Sequence, residues 1–407
     1  SSRSSLAHLR RQTGERDHAP RWGGGGGARW RWRPVGRSAA AALTMHPRSR
    51  HRDYLDYRDL AARQPSLKPF VFVNAYGGAS IDYTDEKALR ELTKCLLSDF
   101  YGVLEWRIPN GCLCPPVPQR ADYVHGIADL LQLPGPGEEE AAPVRGAGVR
   151  GLDIGTGASC IYCLLGTREY GWSFIGSDVD SEALDSARGI VERNRLEHLI
   201  ELRRQEEPRR AFVGVLRPGE ELAFCVCNPP FHESLEHARR STGAKWQRLG
   251  RSTAQGAVRN YQGRSTELCC EGGEVGFVTR MGEESARPEL RHTCLWFSAM
   301  LSRESSWAPV RARLAELGAK RRGFELAQGK VRKWVVAWTF MGKREREARL
   351  RAMTARGGGS EAERGAAGEE VEEHGKRRKA REAEAQEQKE GHLKRRRRAE
   401  EAEEAVG

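Results

Sequence analysis

The sequence predicts an α/β fold, a mostly parallel sheet of seven strands closed at one edge by a C-terminal antiparallel hairpin. Three observations predict it. One apolar run breaks into Gly155-Thr156-Gly157 before a helix-like stretch, and a second ends at Ser177-Asp178-Val179-Asp180 before another. The last two apolar runs are separated by a Gln328-Gly329 turn. Strands alternating with helices at this spacing require right-handed crossovers between parallel strands.

Residues 149–153 (VRGLD) form the first strand, and the stretch from Ala158 to about Gly166 the helix after the glycine turn. Trp172 to Gly176 is the second strand. Ser181 is placed to cap the next helix, whose Leu184, Ala187, Ile190 and Val191 fall on one face. Leu199 to Leu202, Leu222 to Cys227 and Leu295 to Met300 supply strands three to five. A helix from about Pro309 to Leu317, started by Ser305 or Ser306 and stopped by Gly318, precedes the hairpin of Gly323 to Ala327 and Trp334 to Phe340.

Of the 407 residues, the middle has the apolar density to bury a core and the ends do not. Residues 1–44 read as a low-complexity leader, disordered or a transit peptide, with Met45 fitting a start. Residues 45–133 read as an N-terminal module, 134–148 (PGPGEEEAAPVRGAG) as a linker and 149–341 as the main domain. Residues 342–407, rich in Lys, Arg, Glu and Ala, read as a disordered or fraying tail, its KRRK (376–379) and KRRRR (394–398) runs suiting a nuclear address or an RNA contact.

The formal charge of +12 points to a polyanionic partner. No apolar run reaches the roughly 18 residues of a membrane span, so no membrane role is expected. The ten cysteines lack paired knuckle spacing and read as buried free thiols rather than metal ligands. A monomer is expected.

In an open α/β sheet the ligand crevice lies beyond the carboxyl ends of the strands. Asp153-Ile-Gly-Thr-Gly157 suits its first loop, where Gly155 and Gly157 let the backbone approach a ligand. Asp178, 21 positions past Gly157, ends the second strand where a carboxylate can accept both hydroxyls of an adenosine ribose. The pattern is D-x-G-x-G rather than G-x-G-x-x-G, and no P-loop sequence occurs, so S-adenosylmethionine fits better than NAD or ATP.

FCVCNPPFH (224–232) ends the fourth strand opposite that loop. An adenine amine is a poor nucleophile because its lone pair is delocalised. The Asn228 oxygen and the Pro229 carbonyl can accept from such an NH2, Pro230 adds rigidity, and Phe231 offers a stacking face. The tetrapeptide specifies a planar NH2, which glutamine and cytosine also carry.

The sequence resembles the bacterial large-subunit (23S) ribosomal RNA adenine-N6 methyltransferases, whose eukaryotic relatives act on spliceosomal small nuclear RNA and messenger RNA hairpins. The resemblance runs from Met45 to Phe340 through MHPRSRH (45–51), IPNGCLCPPVPQRADYVH (108–125), LDIGTGASCIY (152–162), GWSFIGSDVD (171–180), IELRRQ (200–205), CNPPFH (227–232) and CEGGEVGFV (270–278). It implies a class I (Rossmann-like) methyltransferase fold with a small N-terminal RNA-binding module. It also implies that Gly155 and Ser159 line the S-adenosylmethionine site, Asp178 holds the ribose, Arg120 forks onto the methionine carboxylate, and Asn228 to Phe231 hold the adenine. The chain departs from the family at Ala223, where an Asp is usual, and in the basic Arg209-Arg210. A cytoplasmic enzyme is implied by the bacterial branch; the leader and tail leave nucleus or organelle open.

Between His237 and Ser265 no acidic residue occurs, while Arg239, Arg240, Lys245 and Arg248 flank Trp246, a composition suited to an RNA clamp. Arg48, Arg50 and Arg52 suit a grip on the same strand from the N-terminal module. Other readings are a glutamine or DNA-base methyltransferase and a catalytically idle RNA-binding protein.

Overall fold

The structure is a computed structural model that describes residues 45–52, 55–135, 140–231, 269–328 and 331–356. The leader 1–44 and residues 357–407 lie outside them. The first layer comprises α1 (Tyr57–Arg63), the antiparallel pair β1 (Val71–Val73) and β2 (Ala79–Ile81), α2 (Glu86–Tyr101), α3 (Val117–Leu130), and a second pair, β3 (Gln132–Pro134) with β4 (Ala141–Pro143). Asp85 caps α2 by accepting from the Lys87 amide at 2.8 Å, and Gly102 ends it in the left-handed region at φ +64°.

The main sheet follows: β5 (Arg150–Ile154), α4 (Ile161–Tyr170), β6 (Ser173–Asp178), α5 (Ser181–Arg193), β7 (Ile200–Arg204), β8 (Leu222–Cys227), α6 (Gly273–Ser285), β9 (Cys294–Leu301), α7 (Trp307–Glu316), β10 (Lys320–Gln328), β11 (Val331–Thr339) and α8 (Lys343–Arg356). The seven strands lie in the order β10-β11-β9-β8-β5-β6-β7, with β5 to β9 parallel and β11 antiparallel to both its neighbours. Every residue of β8 and β9 is buried, as a sheet covered on both faces demands. The expected apolar face of α5 is buried as a set, Leu184, Ala187, Ile190 and Val191 included. Its cap is Asp180 rather than Ser181: the Asp180 carboxylate accepts from the Glu182 and Ala183 amides at 2.9 and 3.3 Å. A carboxylate at that position also meets the positive end of the helix dipole.

Residues 45–133, expected as a separate module, are stitched to this sheet. Tyr123 hydrogen-bonds Ser298 of β9 at 2.8 Å, Trp106 donates to the Ser159 carbonyl at 3.1 Å, and the Leu104 amide donates to Asn194 at 2.9 Å. The segment read as a linker carries β4, and its Val144 carbonyl accepts from Trp172 at 2.9 Å. Beyond Met341 the expected disorder does not begin at once. α8 buries Leu350 and Met353, three residues apart on one face, and Arg346 lies 4.4 Å from the Trp296 ring centroid. Arg349 pairs with Glu221 at 3.2 Å, so the folded domain reaches Arg356. Two apolar side chains among so many charges gave no periodic signal.

Seven of the ten cysteines are buried and all ten are free. Among the described residues no helix is long and apolar enough to cross a membrane.

Candidate active site

Ile154 and Cys227 are cross-strand partners in the parallel ladder of β5 and β8. The loops that leave those strands therefore start side by side, at the carboxyl ends of the sheet. Gly155 (φ +70°) and Gly157 (φ +61°) turn the first loop through the left-handed region, which a side chain there would strain. A Cβ added at Gly155 would meet nothing within 4 Å, so that side of the loop faces open space. The amides of Gly155 and Thr156 both donate to the Ser177 carbonyl at 2.9 Å, tying the loop to β6.

Asp178 ends β6. One of its oxygens accepts from the Gly157 amide at 2.8 Å and the other from the Asp180 amide at 2.9 Å, and burial raises its carboxyl above the usual range. Asp153 is fully buried beneath the loop. Its Oδ2 accepts from the Thr156 hydroxyl at 2.8 Å, its Oδ1 has no partner among the described residues, and burial pushes its carboxyl up to about 7. Ser159 is buried in the turn into α4.

Arg120 is brought into this site by α3. Only 5 % exposed, it donates to Met300 Sδ at 3.2 Å and its guanidinium carbon lies 5.6 Å from the Tyr162 ring centroid. No carboxylate pairs with it among the described residues. A cation held by a sulfur and a ring face, with fork donors to spare, suits an anionic ligand. With Asp178 and the open glycine loop, that donor and acceptor set fits a ligand with a carboxylate at one end and a ribose at the other.

In the second loop Asn228 Oδ1 is buried with no hydrogen-bond partner among the described residues. Pro229 is buried, and the Pro230 carbonyl lies 3.7 Å from the Cys270 thiol. Lys333 Nζ lies 5.6 Å from the Phe231 ring centroid. Sequence reasoning did not find Met300, Tyr162 or Lys333 as neighbours of these residues. Tyr162 sat in a recognised island; Met300 and Lys333 carried no signal. Ala223 is fully buried in β8, where a carboxylate would be desolvated.

Of the arginines expected to grip RNA, two turn inward. Arg48 donates to Tyr170, to the His125 carbonyl and to Asp129 at 2.7 Å; Arg50 donates to Glu169 at 2.7 Å and to the Phe100 carbonyl. Arg48 holds the N-terminal segment on α3 and α4, and Arg50 holds it on α2 and α4, rather than offering free guanidinium groups. Arg52 is exposed and donates to the Pro47 carbonyl at 3.2 Å. Arg239, Arg240, Lys245, Trp246 and Arg248 lie outside the described residues. In the basic 203–210 segment, Arg203 is paired with Glu201 and Glu220, and Arg209 with Glu271.

A seven-stranded sheet of this order, with a glycine loop and an acid that ends the neighbouring strand at its carboxyl edge, is that of a class I, Rossmann-like methyltransferase. The chain belongs to the RNA methyltransferase family, whose family model matches residues 39–342. It is 44% identical over 306 residues to ribosomal RNA large subunit methyltransferase F of Pseudomonas savastanoi pv. phaseolicola, covering 74% of this chain and 92% of that protein. The namesake from Stutzerimonas stutzeri is 45% identical over 318 residues, covering 77% and 94%. Among solved structures it is similar to the human Mettl16 catalytic domain in complex with MAT2A 3′UTR hairpin 1, with a TM-score of 0.63, 33% identity and coverage of 74% and 97%. It is also similar to the N-terminal domain of human METTL16 in complex with SAH, with a TM-score of 0.58, 32% identity and coverage of 74% and 100%.

Proposed function

We propose that this RNA methyltransferase transfers a methyl group from S-adenosylmethionine to N6 of one adenine in large-subunit ribosomal RNA. The observation that carries the proposal is Asn228: a buried side-chain oxygen without a partner among the described residues, on the loop beside the glycine turn. An unsatisfied acceptor of that kind costs free energy unless a ligand donor fills it, and an exocyclic NH2 is such a donor.

Bound S-adenosylmethionine supplies an electrophilic methyl on a sulfonium. Arg120 would hold its carboxylate and Asp178 would accept from the ribose hydroxyls, while the Thr156 bond to Asp153 steadies the loop. Asn228 Oδ1 and the Pro229 carbonyl would accept the two amine hydrogens and favour a pyramidal nitrogen able to take the methyl; the sulfonium would leave as a neutral thioether and the surplus amine proton would pass to water. Phe231 stacks on the flipped base, and Lys333 lies near that ring. The rigid Asn-Pro-Pro backbone keeps both acceptors aimed, which is where the positional gain arises.

The ribosomal assignment is favoured by the bacterial relatives, at 44% and 45% identity, over the human hairpin-bound neighbour, at 33%. The same relatives favour a cytoplasmic enzyme. The test is methylation of total RNA by the purified chain with labelled cofactor, then nucleoside analysis and fragment mapping. Label in N6-methyladenosine of a large-subunit fragment is expected. Label confined to a small nuclear or messenger hairpin would move the substrate, and label on protein glutamine or DNA would overturn the proposal.

A further inference from the structure

The Arg120 guanidinium has a neighbour whose polar atom is unused. Tyr162 stands in the first turn of α4, directly after Ile161, and is 3% exposed. Its hydroxyl is buried and makes no hydrogen bond among the described residues. A buried phenol ordinarily finds a partner, and leaving it without one is costly.

Two side chains of α3, Arg120 and Tyr123, hold the ring; they lie three residues apart and so share one face of that helix. The Arg120 guanidinium carbon is 5.6 Å from the Tyr162 ring centroid, and the Tyr123 ring meets it edge-on with centroids 5.3 Å apart. The two tyrosines differ in their hydroxyls. Tyr123 is also buried, but its hydroxyl hydrogen-bonds Ser298 at 2.8 Å. Tyr123 is a satisfied core residue and Tyr162 is not.

The neighbours of the Tyr162 hydroxyl place it in the candidate site. Burial pushes its pKa up; the Arg120 cation opposes that shift, and Asp153 and Cys227 add to it. Asp153 ends its strand just before Ile154 beneath the glycine loop, and Cys227 is the last residue of β8 before Asn228. None of these neighbours takes the hydroxyl hydrogen. Asp153 Oδ2 accepts from Thr156, and Asp153 Oδ1 has no partner among the described residues. Arg120 carries donors only, so it serves at most the phenol oxygen and leaves the hydrogen over.

We infer that Tyr162 is a second residue holding the methionine carboxylate of S-adenosylmethionine, its hydroxyl donating one hydrogen bond beside the Arg120 fork. The inference rests on the cofactor use proposed above and adds to it a residue and a role. A carboxylate has about four lone-pair sites and accepts from the fork and the hydroxyl together. The ammonium at the same end of the ligand has no lone pair to take the hydroxyl hydrogen, and the Arg120 charge repels it.

The test is calorimetry on the full chain and on Tyr162→Phe, which keeps the ring and deletes the hydroxyl. S-adenosylmethionine should bind the variant about tenfold more weakly. Methylthioadenosine and decarboxylated S-adenosylmethionine, which lack the carboxylate, should bind parent and variant alike. The deleted group has no partner in the free protein, so the variant should melt no lower than the parent. Tyr123→Phe, which deletes the bond to Ser298, should do the reverse and melt lower with parental S-adenosylmethionine affinity. Parental affinity for S-adenosylmethionine in Tyr162→Phe would overturn the inference. So would an equal loss for all three ligands, or the same loss in Tyr123→Phe, since either would make the ring pair a support of the pocket's shape. A lower melting temperature for Tyr162→Phe would also count against it, as the mark of a hydroxyl already bonded within the protein. A parent that binds no S-adenosylmethionine would instead contradict the proposed function.

Discussion

The amide of Gly157 donates to Asp178 Oδ2 over 2.8 Å, so the glycine loop and the acid at the end of β6 form one unit. Asp178→Ala removes the loop's tether and, on the proposed function, the ribose acceptor. S-adenosylmethionine binding should weaken by about 1.5 to 3 kcal/mol, the scale of lost charge-assisted hydrogen bonds. Calorimetry reads this directly, and an unchanged dissociation constant would take Asp178 out of the site.

Arg120 is a buried cation that lacks a carboxylate partner among the described residues. Replacing it with Met removes a desolvation cost in the free protein and the proposed carboxylate contact in the bound one. Arg120→Met should melt no lower than the parent, yet bind S-adenosylmethionine about tenfold or more weakly. Methylthioadenosine, which has no carboxylate, should bind both proteins alike. Equal losses for the two ligands would mean that Arg120 supports the pocket's shape instead.

The stacked pair His46 and His125 makes the N-terminal anchor sensitive to acid. Tyr170 accepts from Arg48, so its own proton goes to His125 Nδ1 at 2.7 Å. Burial, with the nearby His46 and the arginines, lowers the His125 pKa to about 2. Its folded value lies below the unfolded one near 6.5, so the unfolded chain binds the extra proton and stability falls as pH drops below about 6.5, by about 2 kcal/mol between pH 7 and 5. Asp122, pushed up to about 6 by burial, titrates in the opposite sense. Denaturant midpoints of the parent and His125→Gln across that range isolate the histidine: the variant's stability should fall less on acidification. Parallel curves would remove His125 from the linkage.

Glu284 is buried in α6 and accepts from three successive amides, Ala211 at 2.7 Å, Phe212 at 3.2 Å and Val213 at 2.8 Å. Glu284→Ala leaves those donors without their acceptor inside the core. A loss of about 3 kcal/mol or more is expected in chemical denaturation. A change below about 1 kcal/mol would show that the three amides find other acceptors.

The parallel strands were legible because each is a short apolar run punctuated by a turn; β8 is recovered residue for residue as Leu222–Cys227. α6 was not, because Gly273, Gly276 and Gly282 lower its intrinsic helix preference. Packing explains two of them: a Cβ at Gly276 would come within 2.8 Å of the Glu271 carbonyl oxygen, and one at Gly282 within 2.7 Å of Leu314. α3 is hidden for another reason. Gln119, Arg120, Asp122 and His125 are buried along with its apolar residues, so the helix is enclosed all round and shows no amphipathic period. Arg120 would pass for a surface residue without the family pattern, and only the fold brings it to Met300 and Tyr162. The glycine loop, Asp178 and the Asn228 tetrapeptide could be named as candidates because each is a short run of adjacent residues at a strand end.

The most direct test of the central claim is the single-turnover rate of N6-methyladenosine formation in large-subunit ribosomal RNA by the full chain and by Asn228→Ala, each saturated with S-adenosylmethionine. Loss of the buried acceptor should cut the rate about a hundredfold or more while cofactor affinity stays nearly parental, because the role proposed for Asn228 matters most as charge develops on the amine. A variant that forms N6-methyladenosine at the parental rate, or a parent whose label appears in a different nucleoside, would contradict the account.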